Sequence, residues 1–140
     1  MNFYPSITLV LLPPTTQVSS AALLSLMTRG AELDKRFTVA LDSGVVYLEG
    51  LGNYVRVLPL APDDVAAALE EARSIATKAG LSARALATID ACGQALRLSS
   101  GPTNDLSYIE VMSEACSRLD ELPGAIFIDL DSRTIDTPLA

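Results

Sequence analysis

The chain contains no histidine and no tryptophan. Without histidine there is no Ser–His or Cys–His dyad, and the commonest general base and metal ligand are missing together. Carboxylates, tyrosines, arginines and two thiols remain. Cys92 and Cys116 lie 24 positions apart (116 − 92), with neither a CxxC spacing nor a disulfide framework. Cys92, beside Gly93, has no histidine to activate it, and Cys116 falls on an apolar helical stripe, so both read as reduced core or semi-buried thiols. The acid pairs Glu70/Glu71 and Asp120/Glu121 are adjacent in sequence, so on a helix they diverge rather than converge on a substrate. Asp63 and Asp64 follow Pro62 at a helix start, where the positive end of the helix accounts for them. Gly50-Leu51-Gly52-Asn53 lacks the lysine and the strand-to-helix context of a phosphate loop and reads as a turn. No residue is assigned a catalytic, cofactor-binding or metal-binding role.

Two acids call for a separate argument. Ile126-Phe127-Ile128-Asp129-Leu130-Asp131 is an apolar strand followed by D-x-D. It resembles the nucleophile segment of haloacid-dehalogenase-type phosphatases. In those enzymes one aspartate attacks phosphorus and the second handles the leaving-group proton, with Mg²⁺ between them. Only six residues follow Thr134. The hydroxyl, lysine and further acids of that site therefore have no downstream chain to come from. A calcium loop fails as well, because the mid-loop glycine and closing glutamate are missing. The expectation is a strand whose exposed end carries two solvated acids.

Tyr47 and Tyr54 flank a hairpin turn, with Arg56 two residues on. Exposed Tyr and Arg are common anchors of protein interfaces, so these three are the candidate partner-binding residues. Charge narrows the partner. The net charge is −7, with 19% charged residues in 140. Residues 1–60 balance four bases against four acids, and residues 61–140 hold six bases and thirteen acids. No basic footprint for nucleic acid exists, and anionic membranes are disfavoured for the same reason. A protein partner, with a basic one favoured by the acidic surface, is expected. The thin charge cover and the strand edge of a meander also point to a homodimer through Tyr47, Tyr54 and neighbouring apolar side chains.

The elements that position these residues follow from periodicity. Ile7–Leu12 is a short apolar run, which suits a strand buried on both faces; no basic residue precedes it, and Pro13-Pro14 ends it, unlike a signal peptide. Ser19 or Ser20 caps a helix that runs to about Leu33. Phe37–Leu41, Val45–Glu49 and Tyr54–Leu58 form a meander through two glycine turns, with Pro59 at its end. A helix from Pro62 ends at Gly80. Residues 82–93 read as a short helix to about Ala91 or as a strand, and Gln94–Leu98 as a strand. Thr103 or Asn104 caps a helix whose stripe is Leu106, Ile109, Met112, Cys116 and Leu119; Ala125–Ile128 is a last strand. Leu69, Ile75, Ile109, Met112, Cys116 and Ile128 are expected to be buried. The order β-α-β-β-β-α-(α)-β-α-β predicts an α+β (or α/β) fold, a mixed sheet covered by helices. It makes a single domain over residues 1–132, with a frayed tail at 133–140.

The element order and the segment Leu122-Pro123-Gly124-Ala125-Ile126-Phe127-Ile128-Asp129 resemble small uncharacterised bacterial proteins, some of them immunity-type proteins encoded beside toxins. The motif-poor, acidic, compact chain suits a small non-enzymatic bacterial binding protein of the cytoplasm that acts through protein–protein contacts, and the resemblance implies an immunity-like role for it. The resemblance carries over no functional residue. Two alternatives stand beside it. One is a secretion chaperone. The other is a small enzyme or ligand-binding domain, which a closed pocket around Asp90, Cys92 or Tyr108 with a convergent arginine would favour.

Overall fold

A computed structural model describes residues 7–33, 35–101 and 107–136, without side-chain detail at 30–33, 107 and 136. Seven strands form one sheet: β1 (Ile7–Leu12), β2 (Phe37–Asp42), β3 (Val45–Gly50), β4 (Asn53–Pro59), β5 (Gln94–Ser100), β6 (Ile126–Asp129) and β7 (Thr134–Asp136). Four helices complete the described residues: α1 (Ser20–Leu33), α2 (Pro62–Lys78), α3 (Ala83–Asp90) and α4 (Ser107–Leu119). The strand order is β2-β3-β4-β5-β1-β6-β7. The fold is α+β, and every ladder is antiparallel, which corrects the expected mixed sheet.

β1 sits in the middle. Its residues pair with β5 on one side and β6 on the other, and Thr8–Leu12 are buried. Its two faces feed two separate cores. Val10 and Leu12 point with Val46, Leu48, Val55, Val57, Leu96 and Leu98 into a core closed by α1 and α4. Leu9 and Leu11 point the other way, with Ala95, Ile126 and Ile128, under α2 and α3. A strand with apolar side chains on both faces is stable only between two covering layers, and the unbroken run ITLVLL specifies that position.

Local chemistry sets the boundaries. The Ser19 hydroxyl accepts from the Ala22 N–H at 3.1 Å, and the Ser82 hydroxyl accepts from the Ala85 N–H at 3.2 Å, so both serines cap helices. At the end of α2, Gly80 takes φ 75°, its N–H bonds to Thr77 O, and the Leu81 N–H bonds to Ala76 O. That paired closure is a Schellman cap. Residues 83–90 are helical, which resolves the open choice there. The capping candidates Thr103 and Asn104, and Leu106, lie outside the described residues.

Two expectations change. Thr134–Asp136 is not frayed: it pairs with β6 as an edge strand, and residues 137–140 lie outside the described ones. The α4 stripe is rotated by about one position. Ile75, Met112 and Ile128 are buried and Leu69 and Cys116 half-buried, but Ile109 is 48% exposed. The buried side of α4 is Val111, Met112, Ala115, Arg118 and Leu119. The bulky residues misled because the inward face includes a small alanine and an arginine. The Arg118 Nε donates to Glu114 at 3.0 Å, its Nη1 donates to Met27 O at 2.7 Å, and the guanidinium lies over the Phe37 ring at 5.6 Å. It ties α4 to α1 and β2, with its charge held against Glu114.

Ile109→Ala is therefore expected to shift stability by less than about 0.5 kcal/mol, whereas Leu119→Ala should cost roughly 2–5 kcal/mol. Urea unfolding of both variants checks the rotation of α4. Leu51, at φ 55° in the β3–β4 turn, occupies a left-handed conformation that a β-carbon disfavours. Leu51→Gly should raise stability by about 1 kcal/mol, read as a higher denaturation midpoint at an unchanged slope.

Candidate functional site

The layer formed by α2 and α3 does not reach across the whole sheet. Its core draws on β1, β5 and β6, and none of its apolar members comes from β2 or β3. On that side the meander and the outer half of β5 face solvent. Alternation places Thr38, Ala40, Asp42, Val45, Tyr47, Glu49, Tyr54, Arg56, Leu58, Arg97 and Ser99 there, all exposed or half-buried, while Phe37, Val39, Val46, Leu48, Val55, Val57, Leu96 and Leu98 point into the α1–α4 core and Leu41 is exposed.

The two hairpins fix this face. Each has a two-residue loop with both residues at positive φ, Ser43-Gly44 and Leu51-Gly52. Such turns match the twist of the flanking strands and hold the register. The register sets Ala40 beside Tyr47, Tyr47 beside Arg56 and Arg56 beside Ser99. One row away, Thr38 lies beside Glu49 and Glu49 beside Tyr54. All three predicted partner residues thus share one surface. The Tyr47 and Tyr54 ring centroids are 6.2 Å apart at 54°, and the Arg56 guanidinium stands 5.9 Å from the centre of the Tyr54 ring. That chain of ring and cation contacts holds the side chains over the sheet. Gly101 makes room for it: a β-carbon there would come within 2.5 Å of the Tyr54 ring.

Asp42, Glu49, Arg97 and Gly101 complete the face, and the sequence reading had not singled them out. Arg97 was legible through the alternation of β5, once Leu96 and Leu98 are taken as inward. The others depend on the pairing register. Arg29, Arg36, Arg73, Arg118 and Arg133 each pair with a carboxylate. Asp42, Glu49, Arg56 and Arg97 make no ion pair among the described residues.

The residues weighed for catalysis are not brought together. Asp90 pairs with Arg73 on the outside of α2 and α3. Cys92 is buried, its thiol donates to Thr88 O at 3.4 Å, and burial pushes its pKa up to about 11. Tyr108 lines an open trough of about 1250 Å³ between α4 and the β1–β6–β7 end, with Ser113, Cys116, Asp120, Asp129 and Thr134 and no arginine. The D-x-D acids are structural rather than simply solvated. Asp129 accepts from the backbone N–H groups of Asp131 and Ser132 at 2.9 and 3.2 Å, and Asp131 accepts from the Ile7 N–H at 3.0 Å. They build the β6–β7 turn and fasten it to the start of β1. Among the described residues no three His, Cys, Asp or Glu side chains converge as a metal site, and no helix is long and apolar enough to cross a membrane.

Cys92 has a checkable consequence. A pKa of about 11, against 9.0 for a free thiol, lowers the thiolate fraction near pH 8 by about 100-fold. Disulfide-exchange reagents should label Cys116 first and Cys92 only on unfolding; equal rates in the native protein would contradict the burial. The unfolded thiol ionises first, so Cys92 should also lower stability as pH rises from about 9 to about 11.

Comparison with known protein families, with curated proteins and with solved structures finds no match to this chain.

Proposed function

We propose that this chain is a small, acidic, non-enzymatic binding protein that acts through protein–protein contacts, and that the open face of β2–β5 is its docking surface. The observation that carries the reading is the half-covered sheet. One face of the meander is sealed by α1 and α4, while the other displays Tyr47, Tyr54, Arg56 and Arg97 without a covering helix among the described residues. Half-buried tyrosine and exposed arginine side chains on a rigid sheet lose little freedom on binding. Leu51 and Leu58, 38% and 39% exposed, add apolar surface at the two ends of the patch. The face carries two arginines and two acids, so its own chemistry does not select a basic partner, although the net charge of −7 still would at long range. An immunity-type role, in which a bacterial protein masks a toxin, is one biological setting that such a surface fits.

The experiment is capture by the immobilised protein from a bacterial lysate and from a solution of untagged second copies. The double variant Tyr47→Ala/Arg56→Glu should lose what the wild type retains. Glu70→Ala, exposed on α2 and outside the patch, should keep it. Equal retention by all three, or none by the wild type, would refute the reading.

A further inference from the structure

The open face is complementary to itself. Across β2, β3, β4 and β5 the first row reads Asp42, Val45, Leu58, Arg97, with Val45 opposite Leu58 by continuing the register one step. The second reads Ala40, Tyr47, Arg56, Ser99. The third reads Thr38, Glu49, Tyr54 and then Gly101, whose N–H bonds to Tyr54 O. A two-fold axis along the strands, midway between β3 and β4, reverses each row onto itself. Asp42 then meets Arg97 of a second copy, twice over. Val45 meets Leu58, the Tyr47 ring meets the Arg56 guanidinium, and Glu49 meets the Tyr54 hydroxyl. Every charge of the face finds an opposite charge, a ring or a hydroxyl, and the small residues Ala40 and Ser99 oppose each other.

We propose that a second copy of this chain packs on the open face, sheet on sheet, about that axis. The proposal rests on the docking reading above and names its occupant. Two observations support a copy over an unrelated protein. The four charges of the face are those left without ion pairs there, and they sit in the order that the two-fold axis matches. Asp42 and Arg97 are three strand spacings apart, about 14 Å, too far to pair within one chain. Aligned sheets pack about 10 Å apart with strands within about 30° of each other, a separation that upright Tyr and Arg side chains fill. Four strands wide and about five residues long, the patch measures roughly 19 by 17 Å. That is roughly 320 Å² per copy, well under the standard ~800 Å² per partner, so association is expected to be weak.

Sedimentation of the full chain from about 1 to about 500 µM tests this. The wild type should rise from 14.8 kDa toward twice that mass. Asp42→Arg and Arg97→Asp should each stay monomeric, because each sets like charges against one another in its own homodimer. Their equimolar mixture should recover the dimer, because the hetero-pair restores both contacts, one as in the wild type and one with its signs exchanged. Circular dichroism identical to the wild type shows that each variant folds. A wild type that stays monomeric throughout overturns the proposal, and so does a mixture that does not recover. Single variants that dimerise like the wild type point to the β2 edge or another surface and overturn it equally. If the wild type is monomeric yet Tyr47→Ala/Arg56→Glu loses a lysate protein, the docking reading stands and the second copy does not. If nothing is retained either, both fail.

Discussion

The rest of the structure depends on β1 being apolar on both sides. Six residues without a charge cannot sit at a sheet edge or on a half-solvated face at acceptable cost. They require a strand on each side and a helical layer above and below. β5 and β6 supply the strands, and α1 with α4 and α2 with α3 supply the layers. The polar fastenings gather around this strand. The Gln94 amide pairs with both backbone groups of Val18, the Gly93 N–H bonds to Leu12 O, and the Leu130 N–H bonds to Ile7 O. The start of β1 and the loop that follows Leu12 are thereby tied to neighbouring segments.

The two layers are unequal, and the exposed face follows from that. α1 and α4 lie over the meander half of the sheet, while α2 and α3 lie over the β1–β6 half. A seven-stranded sheet is wider than either helix pair. Each face is therefore bare at the end opposite its helices: the meander face carrying Tyr47 and Tyr54, and the trough beside α4. The trough has a mixture of hydroxyls and acids already engaged with backbone. The meander face has rings and charges that make no ion pair among the described residues, and the proposed docking surface lies there.

Much of this was legible from periodicity. Alternation gave β2 to β4, the glycine turns gave their connections, and Ser19 and Gly80 gave helix limits. What stayed hidden depends on distant pairing. Whether β1 runs parallel or antiparallel to β5 is not written in either segment. β7 has one apolar residue in three and exists because Asp129 and Ser132 shape the turn before it. The phase of α4 was lost because Arg118 turns inward to reach Met27 O and Phe37. Tyr47, Tyr54 and Arg56 were legible as neighbours of a hairpin turn. Their union with Asp42 and Arg97 required the sheet order, which joins β4 to β5 across both intervening helices.

The position of β1 also governs how the protein can be made. Its nearest-synthesised partner, β5, begins at Gln94, 82 positions after Leu12 (94 − 12). At ribosomal rates of about 5–20 residues per second, the segment ITLVLL waits roughly 4–16 s for a strand to pair with. During that interval it is an uncharged six-residue stretch of high strand propensity, the kind that stacks with copies of itself. The meander and α1 can form in the meantime, since their contacts are local, and α1 can shelter one side of the waiting strand. The most hydrophobic element of the finished protein is therefore its most vulnerable element during synthesis, and a holding chaperone would be expected to engage the nascent chain there.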